Sequence, residues 1–250
     1  MKLEFISPAR TLQIEIANII NSIFEISLAS SQVLINVCYP KYDAHYTSAI
    51  ALTIANRLDK NSLAIAEEIC LENLKISGQW QIKALGKGWL NIFLSEQYLA
   101  ESLSALDIWQ PDISDIFINS VGESPEATMQ YAYARCCALI RLADRSVNFL
   151  CTDFLRTDLH TGIAWDFIEP AEISLLMQQL AIADLLKDHA HLDRYKLSRS
   201  LAEVFLQFYD HCRIFGVTPK IAYRRLLLIR VTQKLLLAIA PLGNNYAIYL

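Results

Sequence analysis

Glycine and proline are scarce in this sequence, since seven of each occur in 250 residues. Their combined share is less than half of the average of about 12% for proteins, so we expect few turns and mostly helix. The glycines also form neither a Walker-type phosphate loop nor a GxGxxG dinucleotide turn. The sequence therefore does not favour a nucleotide-fold enzyme, and a hydrophobic content of 54% excludes disorder as the main state.

Closely spaced cysteines and long apolar runs are missing as well. The six cysteines show no CxxC spacing, and the first residues do not form a charged-then-apolar signal sequence. A reducing, cytoplasmic setting is therefore predicted. Polar and charged residues such as Arg230 interrupt the apolar runs, and none approaches the roughly 18 residues of a membrane span. We expect no membrane association.

The net charge of −4 does not by itself suggest a nucleic-acid partner, but the charge is unevenly distributed. Residues 111–193 contain 5 basic and 13 acidic side chains, whereas residues 194–250 contain 9 basic and 2 acidic ones. This asymmetry predicts a basic face that could bind nucleic acid. The alternative is that the two segments neutralise each other within one helical domain.

Hydrophobic periodicity divides the chain into a mixed N-terminal region and a helical remainder. Ser7 and Pro8 predict the start of a helix of about 20 residues. A β-branched run predicts a strand at 33–37. Helical periodicity is then predicted for 45–58 and 62–74, a β-hairpin for 80–85 and 89–94 around Gly86-Lys87-Gly88, and further helices for 129–145, 170–188, 195–215 and 219–240.

The expected fold is α+β at the N-terminus, with helices on a small, mainly antiparallel sheet, followed by an all-α helical bundle. Pro111, Gly122 and Pro125 lie in a stretch rich in Asp and Ser that separates the two regions. The predicted domains are therefore residues 1–105 and 123–250, and residues 106–122 form the predicted linker.

Three segments of the helical region carry family motifs. Residues 130–135 are Gln-Tyr-Ala-Tyr-Ala-Arg, residues 201–214 combine Leu-Ala-Glu-Val-Phe with Phe-Tyr-Asp-His-Cys-Arg-Ile, and residues 225–229 begin an Arg-Leu-Leu-Leu-Ile helix. They resemble the Gln-Tyr-Ala-His-Ala-Arg helix, the Leu-Ala-x-x-Phe-x-x-Phe-Tyr-Asn-x-Cys-x-Val segment and the closing Ala-Arg-Leu helix of arginyl-tRNA synthetases. In that family these segments form the anticodon-binding, or DALR, domain.

The N-terminal region resembles a second domain of the same family. Residues 45–52, 63–69 and 86–92 are similar to segments of its additional N-terminal domain, in which the patterns are Gly-Asp-Tyr-x-x-Asn-x-Ala-Leu and Gly-x-Gly-Phe-Ile-Asn. The motifs follow the family's order over most of the chain. The chain is therefore identified as a truncated member of the family in which these two domains are fused.

The catalytic machinery of the family has no counterpart in the sequence. A Rossmann-type catalytic domain separates the two domains in synthetases, whereas here only the short predicted linker does. The His-x-Gly-His motif is also missing. Residues 196–200, Lys-Leu-Ser-Arg-Ser, look like the Lys-Met-Ser-Lys-Ser loop but fall inside the anticodon-domain pattern, so we interpret them as a coincidence. No catalytic residue, cofactor or metal ligand is predicted.

The resemblance and helical spacing together select the candidate RNA contacts. Tyr131 and Arg135 lie at positions i and i+4, so they share a helix face on which an aromatic ring can stack on a base and an arginine can bind phosphate. The alternative is a half-buried Tyr131 and an Arg135 paired with a carboxylate. The predicted tRNA-binding residues on the anticodon side are Gln130, Tyr131, Tyr133, Arg135, Arg141, Tyr209, Arg224, Arg230 and Lys234.

Several positions depart from the family pattern. Tyr133 stands where synthetases have His, and residues 244–250 replace the family's Pro-x-x-Met tail near the anticodon. Arg225 occupies the Ala-Arg-Leu position, where a structural ion pair is the expected role. In the N-terminal domain, where synthetases contact the D-loop, Tyr46, Lys87 and Asn91 are predicted as weaker tRNA contacts.

The sequence thus predicts a non-catalytic protein that binds the anticodon stem-loop of an arginine-type tRNA as adaptor, chaperone or competitor. The alternative is a protein–protein interaction module that kept the fold but lost RNA binding. A protein partner or a second copy would then cover the face left by the missing catalytic domain. A residual enzyme that uses residues 196–200 is the third hypothesis.

Overall fold

A computed structural model describes residues 7–41, 43–76, 78–111, 127–145, 167, 169–187, 193–240, 246 and 248. The chain divides into two compact units, Ile6–Ser102 and the part from Leu103 onward. The first holds α1 (Pro8–Phe24), a short 3₁₀ helix (Ser30–Gln32), β1 (Asn36–Val37), β2 (Tyr46–Ser48), α2 (Ile50–Leu58), α3 (Ser62–Ile76), β3 (Trp80–Leu85), β4 (Trp89–Leu94) and the first half of α4 (Glu96–Ile108). The second continues with α5 (Ala127–Arg145), α6 (Pro170–Lys187), α7 (Arg194–His211) and α8 (Pro219–Ala238).

The first helix begins where the sequence predicts it. The Ser7 hydroxyl accepts a hydrogen bond from the Arg10 backbone N–H at 3.2 Å, and Pro8 occupies the first helical position. The helix buries a stripe that includes Leu12, Ile16 and Ile20 at the spacing of one helix face. It ends at Glu25, which adopts a left-handed conformation.

Four antiparallel strands form a sheet in the order β1-β2-β4-β3. The predicted hairpin is confirmed, because β3 pairs with β4 in a register that places Ile82 opposite Ile92. Residues alternate between two faces, so Ile82, Leu90 and Ile92 are buried on one of them. Lys83 and Trp89 lie on the opposite, exposed face.

The hairpin turn is fixed against the start of α3. The Ser62 hydroxyl donates to the Lys87 carbonyl oxygen at 2.6 Å. Gly88 has φ +114°, and a Cβ at this position would lie 2.6 Å from the Ser62 carbonyl oxygen. Only glycine fits this turn, and the Lys87 side chain is consequently presented at the exposed tip of the hairpin.

Helix α3 also protects the outer edge of β3. Asn73 is buried, and its side-chain oxygen accepts the Ile82 backbone N–H at 3.2 Å. Among the described residues no strand pairs with this N–H, because β3 is the last strand of the sheet they form. The Asn73 side chain therefore satisfies an edge amide that would otherwise be open to a further strand.

Two predicted elements of the N-terminal unit are wrong. The strand predicted for 33–37 is reduced to Asn36–Val37, since Val33 is buried at the end of the 3₁₀ helix and donates its N–H to Ser30. The helix predicted for 45–58 begins only at Ile50. Residues before it form β2, where pairing with β4 outweighs helix propensity and buries Tyr46.

The second unit is helical, as predicted, and the overall class of α+β unit followed by helical unit is confirmed. Its core includes Leu175 of α6, Phe205 of α7 and Leu228 of α8. Helix α7 ends at His211 instead of residue 215, because the backbone of Cys212 is extended. Helix α8 ends at Ala238, two residues before the predicted end.

Helix α4 has no counterpart among the sequence predictions. It places Leu99, Leu103 and Leu106 on one buried stripe. Of the predicted linker 106–122, residues 106–108 belong to α4, and residues 112–122 lie outside the described part of the chain. None of the helices described has the length and apolarity that would be needed to cross a membrane.

Candidate nucleic-acid interface

The predicted pair Tyr131 and Arg135 lies on the outward face of α5. Tyr131 is 40% exposed, which is unusual for so large an aromatic side chain within a packed helix. One turn later, Arg135 is half-buried, and its guanidinium carbon lies 4.8 Å from the centre of the Tyr209 ring on α7. Tyr209 and Arg135 are also hydrogen-bonded through the phenol oxygen and Nη2. The structure thus brings three predicted residues together.

The Tyr209 ring is held from two sides. Arg135 contacts it through the cation–π interaction, and Phe205, one turn earlier on α7, stacks on it with ring centres 6.4 Å apart. This packing restricts the Tyr209 ring and, through it, the Arg135 guanidinium. The result is an oriented Arg135 guanidinium one turn from the exposed Tyr131 ring. The guanidinium can bind a phosphate or base edge while a base stacks on the ring.

Tyr133 points into the protein, which does not fit the contact with RNA predicted for it, and the prediction is corrected to a buried, structural role. Only 6% of its surface is exposed, and its ring stacks on Tyr246 with centres 5.1 Å apart. Burial, followed by the neighbouring Cys137 and Cys136, raises the pKa of Tyr133 to about 12. The cause is the helix period: Tyr133 follows Tyr131 by two positions, which places the two side chains about 200° apart around α5.

Two further predicted residues of α5 are half-buried. Gln130 lies beside Tyr131 along the chain. Arg141 donates from Nη2 to the carbonyl oxygen of Ile248 at 3.1 Å. Its guanidinium is therefore bound to a carbonyl of the protein itself.

Arg224 is buried in an ion pair, so the phosphate contact predicted for it does not fit the structure. Its guanidinium binds both carboxylate oxygens of Glu172 at 3.0 Å and lies over the Phe167 ring, 5.1 Å from its centre. Arg225 binds the same carboxylate at 2.8 Å and the Arg213 carbonyl oxygen at 2.5 Å. The structural ion pair expected for Arg225 is confirmed, and Arg224 shares it.

Arg230 and Lys234 differ in the space around their charges. Arg230 has 48% of its side chain exposed and pairs with Asp107 at 3.2 Å. Lys234 is half-buried, and its ammonium group donates to the carbonyl oxygens of Leu106, Asp107 and Trp109 at 2.5–3.1 Å. These carbonyls end α4, so Lys234 serves as its C-terminal cap. Only Arg230 retains a solvent-facing charge.

In the N-terminal unit, the three predicted residues have different surroundings. Tyr46 is buried in β2, which does not fit direct contact with RNA. Lys87 is exposed at the hairpin tip, and Asn91 lies on the outer sheet face, where its side-chain oxygen accepts from Thr47 at 3.3 Å.

The outer sheet face contains residues that the sequence reasoning missed. Trp89 is 43% exposed on β4, and the Lys83 ammonium lies 4.7 Å from the centre of the Phe93 ring. Lys83 is directly opposite Asn91 in the hairpin. Alternation in 89–94, applied to the predicted hairpin, would have placed Trp89, Asn91 and Phe93 on one face.

Residues 196–200 belong to the first turns of α7 and not to a loop. Asp193 caps this helix by accepting the Lys196 backbone N–H at 3.0 Å. Ser198 is fully buried and donates to the Ile239 carbonyl oxygen at 3.0 Å. A buried helical serine serves packing in this position. Within the described residues, no group of three or more His, Cys, Asp or Glu side chains could hold a metal ion.

Comparison with known families places the helical unit in a class of anticodon-binding domains, since residues 129–242 match the DALR anticodon binding domain. Residues 10–94 match the arginyl tRNA synthetase N terminal domain. The chain therefore contains one region that matches each of two domains of arginyl-tRNA synthetases. The resemblance predicted from the motifs is confirmed for both.

Curated relatives match over part of their length. The chain is 33% identical over 118 residues to an arginine–tRNA ligase of Pelodictyon phaeoclathratiforme. This match covers 46% of this chain and 21% of that protein. Identity is 31% to the arginine–tRNA ligases of Moorella thermoacetica and Acetivibrio thermocellus, each over 48% of this chain and 21% of the relative. The match therefore spans about a fifth of these relatives. No solved structure matches the chain.

Proposed function

We propose that this protein binds tRNA through the exposed face of α5, with an arginine isoacceptor as its partner and the anticodon stem-loop as the bound region. The observation that carries the proposal is the Arg135–Tyr209 pair beside the exposed Tyr131 ring. Tyr131 stacks on an unpaired base, and Arg135 binds the adjoining phosphate or base edge.

The distribution of charge on this unit limits the number of phosphate contacts. Arg224 and Lys234 are bound to protein groups inside the structure, whereas Arg135 is only half-buried and about half of the Arg230 side chain is exposed. Each phosphate contact adds about 0.7 to 0.9 to the slope of log affinity against log salt. Phosphate contacts at these two predicted arginines would together contribute about 1.4 to 1.8 to the slope.

A second contact lies on the outer sheet face of the N-terminal unit. Trp89 offers an exposed ring for stacking, Asn91 an amide for a base edge, and Lys87 a cation at the hairpin tip. In synthetases, which this region resembles, the N-terminal domain contacts the D-loop, and this supports a contact of the sheet face with the same part of tRNA. Full-length tRNA is accordingly bound more tightly than an isolated anticodon stem-loop.

The protein acts on tRNA as an adaptor, chaperone or competitor in the cytoplasm and does not charge it. The matched regions are an anticodon-binding domain and a synthetase N-terminal domain, and residues 196–200 lie in a packed helix. The five described cysteines are free thiols, as a reducing compartment permits.

Binding is tested by titrating labelled tRNA with the protein at two salt concentrations and following fluorescence anisotropy. The ligands are an arginine tRNA, a tRNA of another identity and the isolated anticodon stem-loop. Replacing Tyr131 by Ala should weaken binding by about 1–3 kcal/mol with the salt slope unchanged, as for a lost base stack. Tyr131→Phe keeps the ring and should retain most of the affinity.

Leu185→Ala provides the matched control, because it shortens a partly exposed apolar side chain on α6, another helix of the same unit. Its affinity should equal that of the unaltered protein. The proposal would be rejected if no tRNA bound with a salt-dependent Kd below ~100 μM, because even most non-specific nucleic-acid binding is tighter than that. The protein–protein interaction module would then replace it.

A further inference from the structure

Tyr133 and Tyr246 meet in the structure, although both lie where the sequence departs from the synthetase pattern. Each has only 6% of its surface exposed, and their rings stack with an angle of 22° between the planes. Tyr246 is therefore not a loose residue beside α5. Its ring is buried against the inner side of that helix, as deeply as a core side chain.

Two more contacts hold the residues around Tyr246 on α5. The Tyr246 hydroxyl lies 3.9 Å from the sulfur of Met129, one turn before Tyr133. Two residues after Tyr246, the Ile248 carbonyl oxygen accepts the hydrogen bond from Arg141. We refer to Tyr246 and Ile248 together as the α5 strap, because their contacts run along this helix from Met129 to Arg141.

Helix geometry places the α5 strap at one border of the proposed RNA-binding face. At about 100° per residue, Tyr131, Arg135 and Leu142 lie within about 40° of one another. At one border of this face Arg135 packs on the Tyr209 ring of α7. Arg141 lies about 80° from Tyr131 in the opposite direction around the helix. The face is consequently bounded by α7 on one side and by the α5 strap on the other.

We propose that Arg141 is a positioning residue that fixes the α5 strap as the second border of this face, and not a phosphate contact. Its guanidinium binds a carbonyl oxygen of the strap, and Ile248 is held at the surface with 49% exposure. The inference rests on the proposed function of α5 and adds that RNA meets Ile248 and not the charge of Arg141. Because the strap is fixed before RNA binds, the binding free energy is not reduced by the entropy cost of ordering the strap.

The anchoring is tested first in the absence of RNA, by hydrogen exchange of peptides that contain Ile248. Arg141→Met and Tyr246→Leu should both increase exchange there, with α8 still protected. Arg145→Met removes the same charge one turn further along the exposed side of α5 and should leave exchange unchanged. Equal exchange in Arg141→Met and the unaltered protein would overturn the anchoring, whatever the RNA measurements show.

The positioning role is tested by tRNA affinity at several salt concentrations. Arg141→Met should lower affinity about three- to tenfold with an unchanged salt slope, and Arg141→Lys, which can still donate to the carbonyl, should restore it. Arg135→Met should instead lower the slope by about 0.7 to 0.9. An equal loss of slope in Arg141→Met would make Arg141 a phosphate contact and overturn the proposal.

The two readouts separate the two proposals. If the unaltered protein binds no tRNA, the proposed function fails and the role of Arg141 in RNA binding fails with it, while exchange still decides the anchoring. If the protein binds tRNA but Arg141→Met does not weaken binding, the proposed function stands and the positioning role is overturned. Thermal melts of every variant exclude loss of folding as the cause.

Discussion

Glu172 and Arg224 form a buried two-pronged ion pair, in which both carboxylate oxygens lie 3.0 Å from one guanidinium nitrogen. Arg225 shares the carboxylate, so a single acidic group balances two arginines inside the helical unit. The pair joins α6 to α8 across 52 residues of sequence. Two of the nine basic residues that gave 194–250 its charge are therefore internal.

Replacing Glu172 by Gln is expected to destabilise the helical unit by about 3–5 kcal/mol, because two buried cations lose their only carboxylate partner among the described residues. Urea unfolding followed by circular dichroism measures the change. Glu203→Gln is the matched control, since it breaks the exposed pair with Arg199 and should cost less than about 1 kcal/mol. Similar losses of unfolding free energy for the two variants would show that the buried ion pair contributes no more to stability than the exposed one.

Replacing Gly88 by Ala should destabilise the N-terminal unit by more than about 2 kcal/mol. Its φ of +114° disfavours any side chain, and the new Cβ would lie 2.6 Å from the Ser62 carbonyl oxygen. Gly86→Ala is the control, because φ is +59° there and no atom lies within 4 Å, so its cost should be about 1 kcal/mol. Hydrogen exchange of the hairpin peptides locates the effect; equal costs would contradict the close approach.

His45 should make the N-terminal unit sensitive to acid. Burial lowers its pKa from 6.5 to about 4, a shift that nearby Asp43 only partly opposes, and its Nδ1 accepts the Leu94 N–H at 2.9 Å. Since the folded pKa is the lower one, the neutral ring stabilises the fold above pH 6.5, and this contribution is lost as the pH falls through about 4. The total is up to about 3 kcal/mol.

Urea unfolding at pH 7.5 and 4.5 measures this dependence. The unaltered protein should lose about 2 kcal/mol more stability between the two pH values than His45→Gln, which has no titrating ring. His211→Gln, at the exposed end of α7, should behave like the unaltered protein. An identical pH dependence in all three proteins would exclude His45 as the titrating group.

The periodic elements of the fold could be predicted from the sequence. The hairpin and α3 were located almost to the residue because Gly86 and Gly88 mark the turn and the apolar spacing is regular. The short strand β2 could not be separated from the following helix. The burial of Tyr46 depends on its pairing with Ile92 of β4, 46 residues later, and local periodicity carries no information about that partner.

The sequence predicts which candidate residues share a helix face, because helix spacing determines it. It does not predict which basic residues are buried, because their partners lie far away along the chain. Positions i and i+4 correctly placed Tyr131 and Arg135 on one face. The positive charges of Arg224 and Lys234 were visible in the sequence, but Glu172 and the end of α4 lie far from them along the chain. Whether a basic residue is internal depends on such distant partners.

The isolated protein should show no arginine-dependent pyrophosphate exchange and no charging of tRNA in the presence of ATP and arginine. The Lys-Leu-Ser-Arg-Ser residues lie in α7, where Ser198 is buried, and cannot close over a nucleotide as a mobile loop does. Radioactive exchange assays provide the measurement. Activity that disappears in Lys196→Ala would reverse this conclusion and favour a residual enzyme.

Arg230 and Lys234 should give opposite phenotypes although they lie one turn apart on α8. Lys234→Met removes the donor that caps three carbonyls of α4, so it should cost about 1–3 kcal/mol of stability and leave the salt slope of tRNA binding unchanged. Arg230→Gln breaks only a partly exposed pair with Asp107, so stability should change by less than about 1 kcal/mol while the slope falls by about 0.7 to 0.9. Urea unfolding and anisotropy titrations on both variants supply the comparison. A fall in slope for Lys234→Met with unchanged stability would mean that its ammonium group leaves the α4 carbonyls to bind phosphate, and Lys234 would return to the RNA-binding surface.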